Sequence, residues 1–196
     1  MNQLTLGSSF TVKGKGLHTG LAIEAEFCPA PANHGYKFQR IDLPDQPIID
    51  ALAENVVESN RGTVIAKGDA SVSTIEHSMA ALYALGIDNC LIKVNAPEVP
   101  ILDGSSKVYV QEIKRVGIVE QNADKEYYKV KHKIEVQDEA TGAKLMVLPD
   151  DEFSVEVKVN FESPVLSNQY ASMEHVADFE NEIAASRTFV FIREIE

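Results

Sequence analysis

Glu76 and His77 put a carboxylate and an imidazole side by side in the stretch Ser71-Val72-Ser73-Thr74-Ile75-Glu76-His77-Ser78-Met79-Ala80-Ala81-Leu82-Tyr83-Ala84-Leu85-Gly86. Two such groups can share the work of hydrolysis, the imidazole holding a zinc ion and the carboxylate removing a proton from the water on that ion. The same window has a second reading. Ser73-x-x-Glu76 has the spacing of a capping box, in which Glu76 reaches back to the N-cap amide and His77 is a partly buried surface histidine. A Glu-His dipeptide is not a metal motif, so the window alone favours the cap.

The residues around the pair predict a helix. Ile75, Met79, Leu82 and Leu85 recur at helical spacing, good helix formers lie between them, and Gly86 is placed to stop the helix. Ahead of it, Leu4–Val12 and Leu21–Phe27 read as antiparallel strands around a corner punctuated by Gly14, Gly16 and Gly20. His18 sits in that corner, where a lone histidine is more often structural than functional. A turn-rich loop from Cys28 to Gly35 carries His34, and Tyr36–Ile41 resumes as a strand. Short strands with a turn at Asn60-Arg61-Gly62 are expected between Ile48 and Ile65, and a buried strand between Asp88 and Val94. The loop Pro97-Glu98-Val99-Pro100-Ile101-Leu102-Asp103-Gly104-Ser105-Ser106 closes on an Asp-Gly turn. A second helix is expected from Ser106 to about Val116, with Val108, Val110 and Ile113 partly inward. This order makes an α+β unit.

Glu120 to Glu126 is polar and poor in apolar residues, which marks it as a linker dividing residues 1–122 from 123–196. Strands are expected again at Tyr128–Val136, Lys144–Leu148 and Phe153–Phe161, with Lys129, Lys131 and Lys133 on one solvated face of the first. Ser172–Ala185 reads as a helix with Val176, Phe179 and Ile183 inward, followed by the run Ser186-Arg187-Thr188-Phe189-Val190-Phe191.

Composition narrows the classes. With 44% hydrophobic and 24% charged residues among 196, the chain has the make-up of an ordinary soluble protein. A formal charge of -12 excludes a general nucleic-acid surface, which needs clustered Lys and Arg. The N-terminus lacks a basic segment followed by an apolar run, so it does not read as a secretory signal. No apolar run reaches the roughly 18 residues that read as a membrane span. Cys28 and Cys90 form no C-x-x-C and are expected to be free thiols.

Four separated pieces resemble one family: Gly14-Lys15-Gly16-Leu17-His18-Thr19-Gly20, Ser73-Thr74-Ile75-Glu76-His77 through Leu85-Gly86-Ile87-Asp88-Asn89, Pro97 to Ser105, and Ser186-Arg187-Thr188-Phe189. In order and spacing the chain closely resembles the UDP-3-O-acyl-N-acetylglucosamine deacetylases, zinc enzymes of the committed step of lipid A synthesis in Gram-negative bacteria. The resemblance covers essentially the whole chain and shifts the balance at Glu76-His77 from cap to chemistry. It implies two βααβ two-layer domains of similar topology packed with helices inward, the second incomplete here. It also implies a cytoplasmic hydrolase that releases acetate from a nucleotide-sugar lipid precursor.

By position, the resemblance makes Glu76 the general base, His77 a Zn2+ ligand and Thr188 a hydroxyl that helps hold the oxyanion. Phe161 matches an aromatic that packs on uracil. Its neighbour Asn160 stands where some family members have an acidic residue, a departure at the uridine contact. Lys144 is a candidate for the diphosphate, and Phe189 a further substrate-side aromatic. His18 and Asp103 match signature positions near the site. The family's other zinc ligands, in an H-K-x-x-D motif, and a late histidine have no counterpart before Glu196. His132-x-x-Glu135 and His175-x-x-Asp178 do not match them. The resemblance therefore implies an N-terminal portion of a longer enzyme, with a fused hydroxyacyl-carrier-protein dehydratase in some members. The rival class is a sugar-nucleotide binding module, or an inactive relative, that has lost the metal.

Overall fold

Alternating side chains become strands here only where a neighbour supplies the ladder. In the computed structural model, which describes residues 1–161, 163 and 165–190, the result is an α+β fold. Strands β1 (Asn2–Leu6), β2 (Phe10–Lys15), β3 (Ala22–Pro29), β4 (Tyr36–Arg40) and β5 (Ile48–Asp50) come first. Then β6 (Val56–Glu58), β7 (Val64–Lys67) and β8 (Ala70–Val72) lead into helix α1 (Glu76–Ala84). They are followed by β9 (Cys90–Val94), helix α2 (Lys107–Val116) and β10 (Ile118–Asp124). The remaining strands are β11 (Ile134–Gln137), β12 (Lys144–Val147), β13 (Val155–Val159) and β14 (Gln169–Met173). Two compact units result: Met1–Lys125 with the segment from Phe179 onward, and Glu126–Asp178.

The first unit is built on a five-stranded sheet in the order β2-β3-β9-β4-β5. Strand β9 lies in its middle, antiparallel to β3 and parallel to β4, and buries Cys90, Ile92 and Val94 at the two-residue period. Phe27 of β3 stacks on Phe10 at 4.8 Å and meets Tyr109 of α2 at 5.6 Å between ring centroids, which docks that helix on the sheet. Tyr109, Val110 and Ile113 are the buried residues of α2. Val108 is half-buried, in line with its partly inward place, and the Tyr109 hydroxyl donates to Pro100 O at 2.8 Å. Cys28 and Cys90 are both free and buried.

Helix α1 ends as its glycine requires. Gly86 has φ +73, its N–H donates to Tyr83 O, and Ile87 N–H donates to Leu82 O, a Schellman closure. Its start differs from the capping-box expectation. Ile75 is the N-cap, no side chain caps the helix, and Ser73 Oγ donates to Pro97 O instead.

Three other expectations are corrected. The polar stretch from Glu120 is not a free linker, since Ile118–Asp124 forms β10, paired antiparallel with β1. It carries no apolar period because side-chain amides anchor it: Gln121 accepts from Asn89 Nδ2 at 2.7 Å and donates to Ala30 O at 2.9 Å. Lys129, Lys131 and Lys133 precede β11 rather than lying on a strand face, because the ladder with β12 begins only at Ile134. The helix expected over 172–185 is replaced by the end of β14, a 3₁₀ turn at Val176–Asp178 and one π turn at Phe179–Ile183. Cross-strand pairing of Ser172 with Glu156 and Met173 with Val155 claims the first residues. Phe179 is buried as expected. Phe191, the last residue of the expected 186–191 run, lies outside the described residues.

Candidate active site

The site is assembled from the glycine-rich corner after β2, the entry to α1 and the loop between β9 and α2. Glu98 ties the first two together. It is fully buried; its Oε1 accepts from Leu17 N–H (2.7 Å), His18 N–H (3.1 Å) and the Thr74 hydroxyl (3.1 Å), and its Oε2 from Thr19 N–H (3.0 Å) and the Thr19 hydroxyl (2.8 Å). Burial pushes this carboxyl up, but the hydrogen bonds from His18, Thr19 and Thr74 outweigh it and hold the group below its ordinary value. Gly16 permits the approach, because a Cβ there would overlap Glu98 Oε2 and Thr19 Oγ1. Thr74 is a β-branched residue at φ +58, a strained backbone held two residues before Glu76.

Glu76 begins α1 with its carboxylate turned away from the helix amides. Its Oε2 accepts from Thr63 N–H at 3.1 Å, and its Oε1 lies 3.7 Å from His77 Nε2. A point one Cβ bond out from Gly62 is 3.7 Å from both Glu76 Oε1 and His18 Nε2 and 3.9 Å from Thr74 Oγ1. Glu76 and His18 therefore meet beside Gly62, with His77 Nε2 near the same Glu76 oxygen. Glu76 also lines a cavity of about 380 Å³ whose other walls include Leu52, Val56, Ile65, Ile75 and Met79.

Asp103 and Thr188 form a second, adjoining group. Asp103 Oδ1 accepts from Ser105 Oγ (2.7 Å) and Ser105 N–H (3.1 Å), and these bonds, led by the hydroxyl and aided by Arg187 with Nη2 at 3.9 Å, hold its carboxyl below the ordinary value. Thr188 N–H donates to Gly104 O at 2.8 Å, which places Thr188 beside the Asp103 loop, with Phe189 half-exposed next to it. Ser106 Oγ donates to His77 O at 2.9 Å, so the same loop is fastened to α1 at the zinc-ligand candidate.

The candidates of the second unit have local partners. Lys144 pairs with Glu135 at 2.6 Å within the β11–β12 hairpin, Asn160 Oδ1 accepts from Asn168 N–H at 3.2 Å, and Phe161 is half-buried beside it. Among the described residues no group of three or more His, Cys, Asp or Glu could hold a metal. His77 offers one imidazole where a zinc site needs three or four ligands, so these residues alone do not fit the ion. Glu98 and Thr74 enter the sequence reading only inside the stretches that carry the resemblance, with no role of their own, and Thr63 does not enter it. A further signal is Glu98 itself, one charge inside the apolar run Ala96-Pro97-Glu98-Val99-Pro100-Ile101.

Residues 3–196 match the family model described as LpxC: UDP-3-O-acyl N-acetylglycosamine deacetylase. The chain is 60% identical over 194 residues to a protein named "Bifunctional enzyme LpxC/FabZ" from Porphyromonas gingivalis, covering 99% of this chain and 42% of that one. The same name and identity recur in Bacteroides thetaiotaomicron, covering 100% and 42%. A "UDP-3-O-acyl-N-acetylglucosamine deacetylase" from Methylococcus capsulatus is 40% identical over 199 residues, covering 100% and 65%. The chain thus spans less than two thirds of the length of these relatives. Among the described residues no helix is long and apolar enough to cross a membrane.

Proposed function

Because the chain belongs to the family of UDP-3-O-acyl N-acetylglycosamine deacetylases, we propose that the complete protein hydrolyses the N-acetyl group of a UDP-linked 3-O-acyl-N-acetylglucosamine. The products are acetate and the free amine, and the step is the committed one of lipid A biosynthesis. One observation carries the reading: the Glu76 carboxylate is not engaged in capping α1, and its Oε1 lies near His77 Nε2 and, beside Gly62, on the side where His18 Nε2 stands. In that position Glu76 takes the proton of the attacking water. The Thr63 N–H on its other oxygen fixes the orientation of the carboxylate. The Thr188 hydroxyl donates to the oxyanion formed at the acetyl carbon.

Zinc dependence is part of the proposal. His77 is the ligand this chain contributes, and the rest come from sequence beyond it. The same reading gives the complete protein two βααβ domains packed with helices inward, a cytoplasmic location, and Phe161, Asn160, Lys144 and Phe189 on the substrate side. The bifunctional relatives support a second enzyme fused after the deacetylase.

The test is acetate release from UDP-3-O-acyl-N-acetylglucosamine by the complete protein. Release matched by free amine, abolished by a chelator and restored by zinc is the expected result. Tight substrate binding with no acetate under any metal would make the protein the non-catalytic binder instead.

A further inference from the structure

We propose that Glu98 is a positioning residue of this site: its buried carboxylate is the shared anchor that holds His18 and the entry to α1 in register, so that His18 faces Glu76. This deepens the deacetylase reading and rests on it.

Three sets of contacts carry the inference. First, the five donors on Glu98 come from two segments far apart in sequence, the Leu17–Thr19 corner and Thr74. A residue needed only to close its own loop has no reason to bridge them. Second, the backbone around Glu98 is joined to the same place: Ser73 N–H donates to Pro97 O at 2.9 Å, and Val99 N–H to Ser73 O at 3.0 Å. Side chain and main chain together clamp Ser73 and Thr74, which lead into Ile75, Glu76 and His77. Third, Thr74 sits at φ +58, where a β-branched residue persists only if its surroundings hold it. The hydroxyl bond to Glu98 is one such restraint. Both ends of the bridge then appear at one point, where His18 Nε2 and Glu76 Oε1 flank Gly62. A carboxylate suits this post because every group facing it is a donor. In Glu98→Gln, whichever way the amide turns, its NH₂ opposes at least one backbone N–H.

The experiment uses the complete protein and compares Glu98→Gln, Thr74→Val and Thr74→Ser. Thr74→Val keeps the shape and removes the hydroxyl; Thr74→Ser keeps the hydroxyl. Acetate release should show kcat lowered at least tenfold in Glu98→Gln and at least threefold in Thr74→Val, with KM within twofold, and Thr74→Ser within twofold of wild type. Because a loss of folded protein also lowers apparent kcat at unchanged KM, kcat is taken per folded protein, with the folded fraction of each variant measured by its unfolding transition at the assay temperature. A Glu98→Gln kcat within twofold of wild type overturns the proposal, as does a Thr74→Ser defect equal to that of Thr74→Val. If wild type itself releases no acetate, the deacetylase reading fails, and amide exchange decides the positioning claim separately. Exchange at Leu17, His18 and Thr19 at least tenfold faster in Glu98→Gln, with Tyr109–Ile113 unchanged, supports it; unchanged exchange at the corner overturns it.

Discussion

Glu98 and Glu76 lie on adjoining segments of one unit, yet Glu98 is fully buried under five donors, while the Glu76 side chain is 39% exposed with one backbone donor and an imidazole beside it. A carboxylate saturated with hydrogen bonds is a fixed part of the scaffold. One with a single backbone donor keeps an oxygen that accepts no hydrogen bond among the described residues, here the Glu76 Oε1 that lies 3.7 Å from His77 Nε2. The difference lies in how many donors the fold aims at each oxygen, since the two side chains are chemically identical.

The sharpest way to break this comparison is to remove the proton-accepting oxygen. Glu76→Gln in the complete protein should cut kcat by about 10²–10⁴-fold, the range for a lost general base, while its melting temperature stays near wild type. A variant that keeps its kcat puts Glu76 on the scaffold side with Glu98. Next in size is Glu98→Ala, which strips the acceptor from buried donors and should cost about 3 kcal/mol or more in denaturant unfolding. Acid separates the two carboxylates further. Hydrogen bonds hold the Glu98 carboxyl low in the folded state, so its stabilisation is complete above about pH 5 and is lost as the pH falls through about 4 and below. The wild-type melting temperature should therefore drop more steeply over that window than that of Glu98→Gln. Equal slopes would show that Glu98 titrates alike in folded and unfolded chains. The smallest effect is expected at Gly62→Ala, whose Cβ meets its neighbours at ordinary contact distance. Stability should change by no more than ~0.5 kcal/mol, and a larger loss would mean the space beside Gly62 is tighter than its geometry shows.

Much of the first unit was legible because its signals are local. The spacing of Ile75 and Leu82, the stop at Gly86 and the apolar run ending at Val94 each become the expected element. The Glu76-His77 pair was legible as a motif and by resemblance. Its alternative as a cap was equally legible, and the two are separated in space by the Ser73 hydroxyl donating to Pro97 O and the Thr63 N–H on Glu76. Strand β10 was illegible because polar amides, not apolar alternation, hold it to β1.

The second unit shows the converse. Val155, Val157 and Val159 pair in register with β14 as their alternation predicts, yet none of the described residues from Glu126 to Asp178 is fully buried. Strand pairing needs only a partner strand, whereas burial needs a further layer.

Residue types and spacing alone determined both helices and the buried strand β9 of the first unit, the net negative charge, the Glu-His pair and the resemblance to the family. The tertiary structure decided which glutamate is saturated with donors and which keeps an oxygen open, because that depends on donors contributed by Leu17, His18, Thr19 and Thr74, segments the chain brings together only on folding.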